Sequence, residues 1–465
     1  MSAPRPPPDN DAVTEDPALA APARTVRAEL GELLRLAGPV VVARLGIMAM
    51  GLTDAIVVGR YSAEQLAFHA LGWAPTATIL TTAVGLLMGV QVMTARYVGE
   101  GRRHHSGAVL RRGIVYSFWI GVGSTAALIV LGPLFMGSIG LDPALAAGAN
   151  KALVVFTLSL TPYLVSVAGT FYLEALSRPL PGMWAMWLAN GVNLALAVVL
   201  VPGLFGLPAM GAVGAAWASF AARLALMVFV LVYIWRMSDA RDLGVFDKPA
   251  DSRADAFEQR RIGYGAGVSY FVESAAFAGM NVVAGWLGAM AVAGYTVMLN
   301  VAAVVFMVPL GLSAATAVLV GRAYGARDAA GVNRSGWTGI GVAVVFGVGI
   351  SAVIWPLSKP IASAYTLDPV LIALAAPAMV LYLLALTADC TQVVTAGALR
   401  ARGDVWLPTF THIISYAVVM CPLAWFLAHP MKMGLSGIIW AIIASSLLAA
   451  GFLVSRFWLL SRRGL

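Results

Sequence analysis

Charge is what this chain has least of: Asp, Glu, Lys and Arg make up 11% of its 465 residues, where soluble domains carry roughly 25%. With 60% hydrophobic residues and a mean hydropathy of +0.85, that scarcity excludes a soluble globular protein. Cysteine is nearly absent. Cys390 and Cys421 both lie in apolar segments, so no disulfide framework is implied. The four lysines follow Asn150, Asp247, Ser358 and Met431, so there is no G-x-x-x-x-G-K-[ST] phosphate loop and no ATPase domain is encoded. H-E-x-x-H, a Cys/His cluster and a paired-aspartate diphosphate motif are also missing, which argues against an enzyme and against a resident cofactor. Energy for any work must then come from an ion gradient or a separate subunit.

What the chain does have is long apolar runs. About 20 such residues span a bilayer as a helix, and twelve runs qualify, near 36–59, 66–94, 113–135, 152–175, 183–202, 211–235, 262–287, 290–318, 336–357, 370–397, 406–428 and 434–459. The expectation is an all-α integral membrane protein. The first 30 residues, rich in Pro, Ala and charge, read as a disordered cytoplasmic tail rather than a signal peptide.

The net charge of +8 raises the question of a nucleic-acid partner, and its placement answers it. With the N-terminus and the even-to-odd connections on one side, that side holds 24 Lys and Arg against 4 on the other (Arg60, Lys151, Lys359, Lys432), with Arg44 and Arg223 inside helices. Positive residues collect on the cytoplasmic side, so both termini are expected in the cytoplasm of a bacterial-type inner membrane, with no nucleic acid involved.

The sequence also repeats. GLLMGVQVMTARYVGEGR (85–102) resembles MVPLGLSAATAVLVGRAYG (307–325), with Gly89 and Gly99 on Gly311 and Gly321 at an offset of 222. GLDPALAAGANKALVVFTLSLTPYL (140–164) resembles TLDPVLIALAAPAMVLYLLALTADC (366–390) at an offset of 226, with Asp142-Pro143 on Asp368-Pro369. Two six-helix bundles, 31–235 and 262–465, are therefore expected, joined by a polar cytoplasmic linker at 236–261. An even helix count makes the repeat parallel, an arrangement common in secondary transporters with a path between the halves.

Three carboxylates stand inside apolar runs: Asp54, Glu273 and Asp389. Each costs at least about 2.5–3.5 kcal/mol at mid-bilayer depth, so retention points to binding a cation or proton. Glu273 lies 12 residues after Arg261 and Asp389 lies 11 before Arg400, about 18 and 16 Å along their helices. At one depth in spans 7 and 10, the two acids can share a proton or supply oxygen ligands to Na⁺. Tyr270 shares nearly the same helix face as Glu273, and Asn281 reaches the edge of the same cavity. Asp54, about 9 Å below Arg60, reads as a second protonation site or as an outer-end residue reaching the interface. Pro39 lets span 1 kink or marks the start of its helix. Asn190 and Asn193, on adjacent turns of span 5, line a first-half cavity or join helices.

Arg44 is near enough to the cytoplasmic end to snorkel, and Arg223 is central, with no partner named by the sequence. Met280, with Met290, Met298, Met307 and Phe306, gives spans 7 and 8 either an adaptable binding surface or ordinary packing. Tyr163, Trp184 and Trp187 are either substrate contacts or interfacial aromatics.

These features together resemble the multidrug and toxic compound extrusion (MATE) family over about residues 30–460. The resemblance rests on GPVVVARLGIMAMGLTDAIVVGRY with Pro39, Asp54 and Gly59, on YFVESAAFAGMNVVAGWLG, on VPLGLSAATAVLVGRAYGA and on TADCTQVVTAGALRARGD. An acid at Glu273 is similar to the NorM-like branch. The resemblance implies two bundles in a V that alternate between outward and inward states, acting as a monomer. It implies a secondary active multidrug transporter exporting cationic amphipathic compounds by antiport with H⁺ or Na⁺. Glu273 and Asp389 would be the second-half cation site and possible Na⁺ ligands. Asp54 would be the first-half protonation site, with Asn190 and Asn193 near it and Pro39 permitting the bend. The branch tends to place a tyrosine one turn before the span-10 acid, and here that residue is Ala385, which keeps H⁺ beside Na⁺ as the coupling ion. The alternative is a lipid-precursor flippase of the same superfamily fold, disfavoured by one central arginine against three acids.

Overall fold

A computed structural model describes residues 25–138, 142–247 and 252–464. Most of the expected tail, residues 1–24, lies outside the described residues. Its last part is helical, because α1 begins at Val26 with Thr25 as its cap. The helices are α1 (Val26–Tyr61), α2 (Ala63–Leu86), α3 (Met88–Gly99), α4 (Ser106–Ser138), α5 (Pro143–Leu158), α6 (Leu160–Ala175), α7 (Leu180–Leu200) and α8 (Ala212–Trp235) in the first half. The second half has α9 (Arg253–Leu287), α10 (Ala289–Gly325), α11 (Ala329–Tyr365), α12 (Pro369–Ala401), α13 (Trp406–His412), a π-helical stretch Ile413–Met420, α14 (Cys421–Ala428) and α15 (Leu435–Arg463).

Joined end to end, α2–α3, α5–α6 and α13–α14 each make one crossing, so the described residues make twelve crossings. Among the described residues eleven crossings are long and apolar enough to span a membrane by composition. The twelfth is α9, 35 residues long, whose apolar character is diluted by its leading arginines, Glu273, Asn281 and several glycines. The segment expected as linker is part helix, since α9 starts at Arg253.

The repeated Asp-Pro pairs have a local cause. Asp142 Oδ1 accepts from the Ala144 N–H at 2.8 Å and Asp368 Oδ1 from the Val370 N–H at 2.9 Å. Each aspartate caps a helix whose first residue is proline, where no N–H is needed. A second equivalence is the one-residue turn between long antiparallel helices, Ser62 after α1 and Gly288 after α9. Ser62 is extended, whereas Gly288 has φ +109°, a conformation open to glycine.

The halves meet where the arginines collect, and the contacts are reciprocal at a single offset of 226. A Cβ on Gly85 would strike the Gly267 backbone, and one on Gly311 would strike Val41; one on Gly99 would strike the Arg322 carbonyl, and one on Gly325 that of Arg96. Each contact maps onto its partner by adding or subtracting 226. The offset of 222 for the first repeated stretch is therefore corrected by one helical turn.

Two arginine clasps follow the same symmetry. Arg96 Nε and Nη2 donate to the carbonyls of Ala401 and Arg400 at 3.1 and 3.3 Å, and Nη1 faces Glu258 at 3.4 Å. Arg322 Nη2 donates to the Ala175 carbonyl at 2.6 Å, with Nη1 3.9 Å from Glu32. Each arginine caps the carbonyl end of a helix in the opposite half. Glu29 adds a third link, accepting from Arg334 Nε at 3.2 Å and from the Ser335 hydroxyl.

Further along, Gly51 on α1 and Gly279 and Gly285 on α9 have nothing within 4 Å of the place a Cβ would occupy. Among the described residues, the glycine-mediated contacts between the halves thus belong to the arginine-rich end. Arg96, Arg400 and Arg402 are buried there rather than lying in open loops as their count among the connections supposed.

Candidate ion-coupling and substrate site

Glu273 and Asp389 are brought into one polar cluster of the second half, on α9 and α12. Asp389 is 3% exposed and its Oδ2 accepts from the Tyr382 hydroxyl at 2.9 Å. Tyr382 lies two turns before the acid, so the tyrosine missing at Ala385 is supplied one turn earlier on the same face of α12. Glu273 is half-buried, with Asp389, Arg400 and the Gln392 side chain as its electrostatic neighbours. Gln392 Nε2 donates to the Tyr416 hydroxyl at 3.0 Å, and Ser446 on α15 stands beside both Tyr416 and Asp389.

Several buried polar atoms in this column have no protein partner: Asp389 Oδ1, Gln392 Oε1, Ser446 Oγ, Arg400 Nε and both ring nitrogens of His412. Leaving such groups dry costs about 1–3 kcal/mol each, so the column is built for something polar, whether water or a cation. The π-helical stretch matters here because its wider turn carries Tyr416 beside Gln392; π-turns inside α-helices often mark functional positions. Arg400, 1% exposed, donates through Nη2 to Ser269 Oγ at 2.8 Å and stands over the Tyr270 ring at 5.9 Å.

The first half holds a separate cluster. Asp54, 3% exposed, accepts from Asn193 Nδ2 at 3.0 Å and from the Ser219 hydroxyl at 2.5 Å. It is an interior carboxylate, which removes the reading of an outer-end residue reaching the interface. Arg223, on the same helix as Ser219, has Asp54 within electrostatic reach. It donates to Ser159 Oγ at 2.6 Å and lies 5.0 and 5.1 Å from the Trp73 and Tyr163 rings, which names its partners. Asn190 does not join this cluster. Its Nδ2 donates to the carbonyls of Gly46 and Met186 at 3.0 and 2.9 Å, tying α7 to α1.

Other candidates fall as follows. Pro39 sits well inside α1, thirteen residues from its start, so it does not open the helix and its missing N–H leaves a mid-helix carbonyl unpaired. Met280 is 1% exposed and packs in the second-half core with Tyr295 and Met298. Tyr270 is half-buried between Arg44 of the first half and Arg400 and Glu273 of the second. Asn281 is half-buried and takes part in none of the hydrogen bonds of either cluster. Trp184 and Trp187 are exposed.

Arg44 turns inward instead of snorkelling, lying 5.5 Å from the Phe171 ring and near Glu174. Glu174 is the acid that sequence reasoning passed over. It stands at the end of its apolar run, is 4% exposed and accepts from Gln91 Nε2 at 2.7 Å. Its equivalent at offset 226 is Arg400.

The sequence model of the MatE family matches residues 39–199 and 266–426, one stretch in each half. A protein described as probable multidrug resistance protein NorM from Caulobacter vibrioides is 58% identical over 442 residues, covering 95% of this chain and 94% of that one. Another so described, from Bradyrhizobium diazoefficiens, is 31% identical over 447 residues, covering 94% of each chain. Among solved structures, the eukaryotic MATE transporter AtDTX14 superposes with a TM-score of 0.85 at 18% identity, covering 94% of this chain and 98% of that one, a likeness of fold. With its twelve crossings in two halves, this chain belongs to the MatE family.

Proposed function

We propose that the protein is a secondary multidrug exporter that moves cationic amphipathic compounds out of the cell by antiport with H⁺ or Na⁺. The observation that carries this reading is the meeting of Glu273 and Asp389, from helices far apart in sequence, in one interior cluster with unpartnered oxygens. The relatives' description as multidrug resistance proteins supports the substrate class. A carboxylate pair cannot hold the coupling ion and a cationic drug equally well at once, so ion binding displaces drug and drug binding displaces ion. Tyr382, Gln392, Tyr416 and Ser446 orient the pair and offer the neutral oxygens a hard cation prefers.

The arginine bias supports an inner-membrane orientation with both termini cytoplasmic. The close approach at the arginine-rich end then corresponds to a state sealed toward the cytoplasm, in a protein acting as a monomer. Anionic lipid-precursor cargo is less well served: Arg223 is occupied by Ser159, two aromatic rings and nearby Asp54.

The test is drug efflux in inverted vesicles with Na⁺ and pH gradients imposed separately. Wild type should respond to one of them. Glu273→Gln and Asp389→Asn should each reduce exchange at least about 100-fold, the scale of losing a central charge interaction, with normal amounts of protein in the membrane. Normal gradient-driven efflux by both variants would sink the mechanism.

A further inference from the structure

We propose that the notch between α4 and α9, at the arginine-rich end, binds the headgroup of an anionic phospholipid. The notch is lined by Arg112 and Tyr116 of the first half and by Gln259 and Arg260 of the second, over an apolar floor of Leu86 and Val90. None of its lining residues is acidic. Arg112 is held in place: its Nε donates to Gln259 Oε1 at 3.1 Å, while Gln259 Nε2 donates to the Val109 carbonyl at 3.2 Å. Gln259 is 6% exposed, so this brace is an interior one. Arg112 Nη2 is left buried and without a partner, a donor fixed in direction with nothing to receive it. Arg112 lines the notch, and a small rotation that uncovers Nη2 would give a phosphate oxygen the guanidinium donor it matches.

Two further groups complete the chemistry. Arg260 is exposed and stands within electrostatic reach of the Tyr116 hydroxyl, with Tyr264 also close to it. A phenolic hydroxyl has one proton to donate, and Tyr116 lines the notch. The notch thus offers two guanidinium groups and a phenolic donor to one anion.

The surroundings favour a lipid over a dissolved anion. Running away from Arg260 on α9, Tyr264, Val268 and Phe271 are exposed at helical spacing; running away from Arg112 on α4, Val115 and Trp119 do the same. Both stripes are apolar surface for acyl chains, and both end in an arginine at headgroup level. A soluble phosphate would use the arginines and leave the stripes unused.

The full-length protein in detergent micelles, titrated with phosphatidylglycerol, phosphatidylethanolamine or inorganic phosphate and read by native mass spectrometry, tests this. One phosphatidylglycerol should bind per chain in preference to phosphatidylethanolamine. Arg112→Ala combined with Arg260→Ala should weaken it roughly 30-fold, and the milder Arg260→Gln about fivefold, from the usual contribution of one basic residue at an anionic surface. Because Arg260 is exposed, the single variant decides the matter should the double variant fold poorly. Equal retention of the two lipids, or unchanged binding in Arg260→Gln, overturns the proposal. Displacement of phosphatidylglycerol by an equal concentration of inorganic phosphate does so too, by assigning the notch to a soluble anion.

Discussion

The Tyr382 hydroxyl donates directly to Asp389 at 2.9 Å, which makes it a sensitive place to ask which ion the pair carries. Tyr382→Phe removes a donor that stabilises the ionised carboxylate and removes an oxygen that can ligate a metal. The variant should therefore hold H⁺ more tightly and Na⁺ less tightly, each by about tenfold for the loss of one charge-assisted hydrogen bond. Half-saturating pH and half-saturating Na⁺ for exchange, measured side by side, separate the two. A shift in neither would show that Asp389 does not carry the coupling ion. Residues of this kind were hard to read in the sequence. Asp54, Glu273 and Asp389 stood out because the membrane makes a charge expensive, whereas Ser219, Tyr382, Gln392, Tyr416 and Ser446 carry no charge. They become visible only once the facing helix is known. Glu174 does carry a charge, but it stands one residue from the end of the 152–175 run, where a charge costs the membrane little.

At the level of elements, the seam depends on glycine. Gly99→Ala and Gly325→Ala each put a methyl group into a carbonyl of the opposite half, backbone that cannot rotate away as a side chain would. Either substitution should force the arginine-rich end apart by an ångström or more and shift the population toward the other state. Spin-label distances between α3 and α10 report it; distances unchanged from wild type would mean the seam is not the closed face of a switch.

The same glycines explain why the repeat was found but its register missed. They recur about one turn apart along α2–α3 and α10, so a slide of four residues still lays glycine on glycine. The carbonyl contacts across the seam select 226 over 222. The number and order of the crossings were legible, because a bilayer demands some 20 apolar residues whatever they pack against, but not all their ends: α1, α5 and α9 begin at Val26, Pro143 and Arg253, nine or ten residues before the apolar runs do. The π-helical turn at Ile413–Met420 was not legible either, being as apolar as the helices on either side.

Over the whole molecule, the paired clasps predict paired behaviour. Arg96–Glu258 and Arg322–Glu32 are equivalent in place, and each ion pair is partly exposed, so each is worth only about 0.5–1 kcal/mol. Glu258→Gln and Glu32→Gln should each open the sealed end slightly, by similar amounts, with the double variant near their sum, as for separate sites. Accessibility of a cysteine placed at the seam measures this; one variant opening it far more than the other would show that the clasps are unequal.

The chemistry inside the halves does not share that equality. In the first, Asp54 and Glu174 stand with Arg44 and Arg223; in the second, Glu273 and Asp389 stand with Arg400 as their buried cation. With its acids ionised, that cluster of the second half, two carboxylates and one guanidinium, is one positive charge short of neutral. A single H⁺, a single Na⁺ or one monovalent drug each restores neutrality. Exchange of one for another then carries no current across the bilayer, and its rate should be indifferent to an imposed membrane voltage while still following the ion gradient.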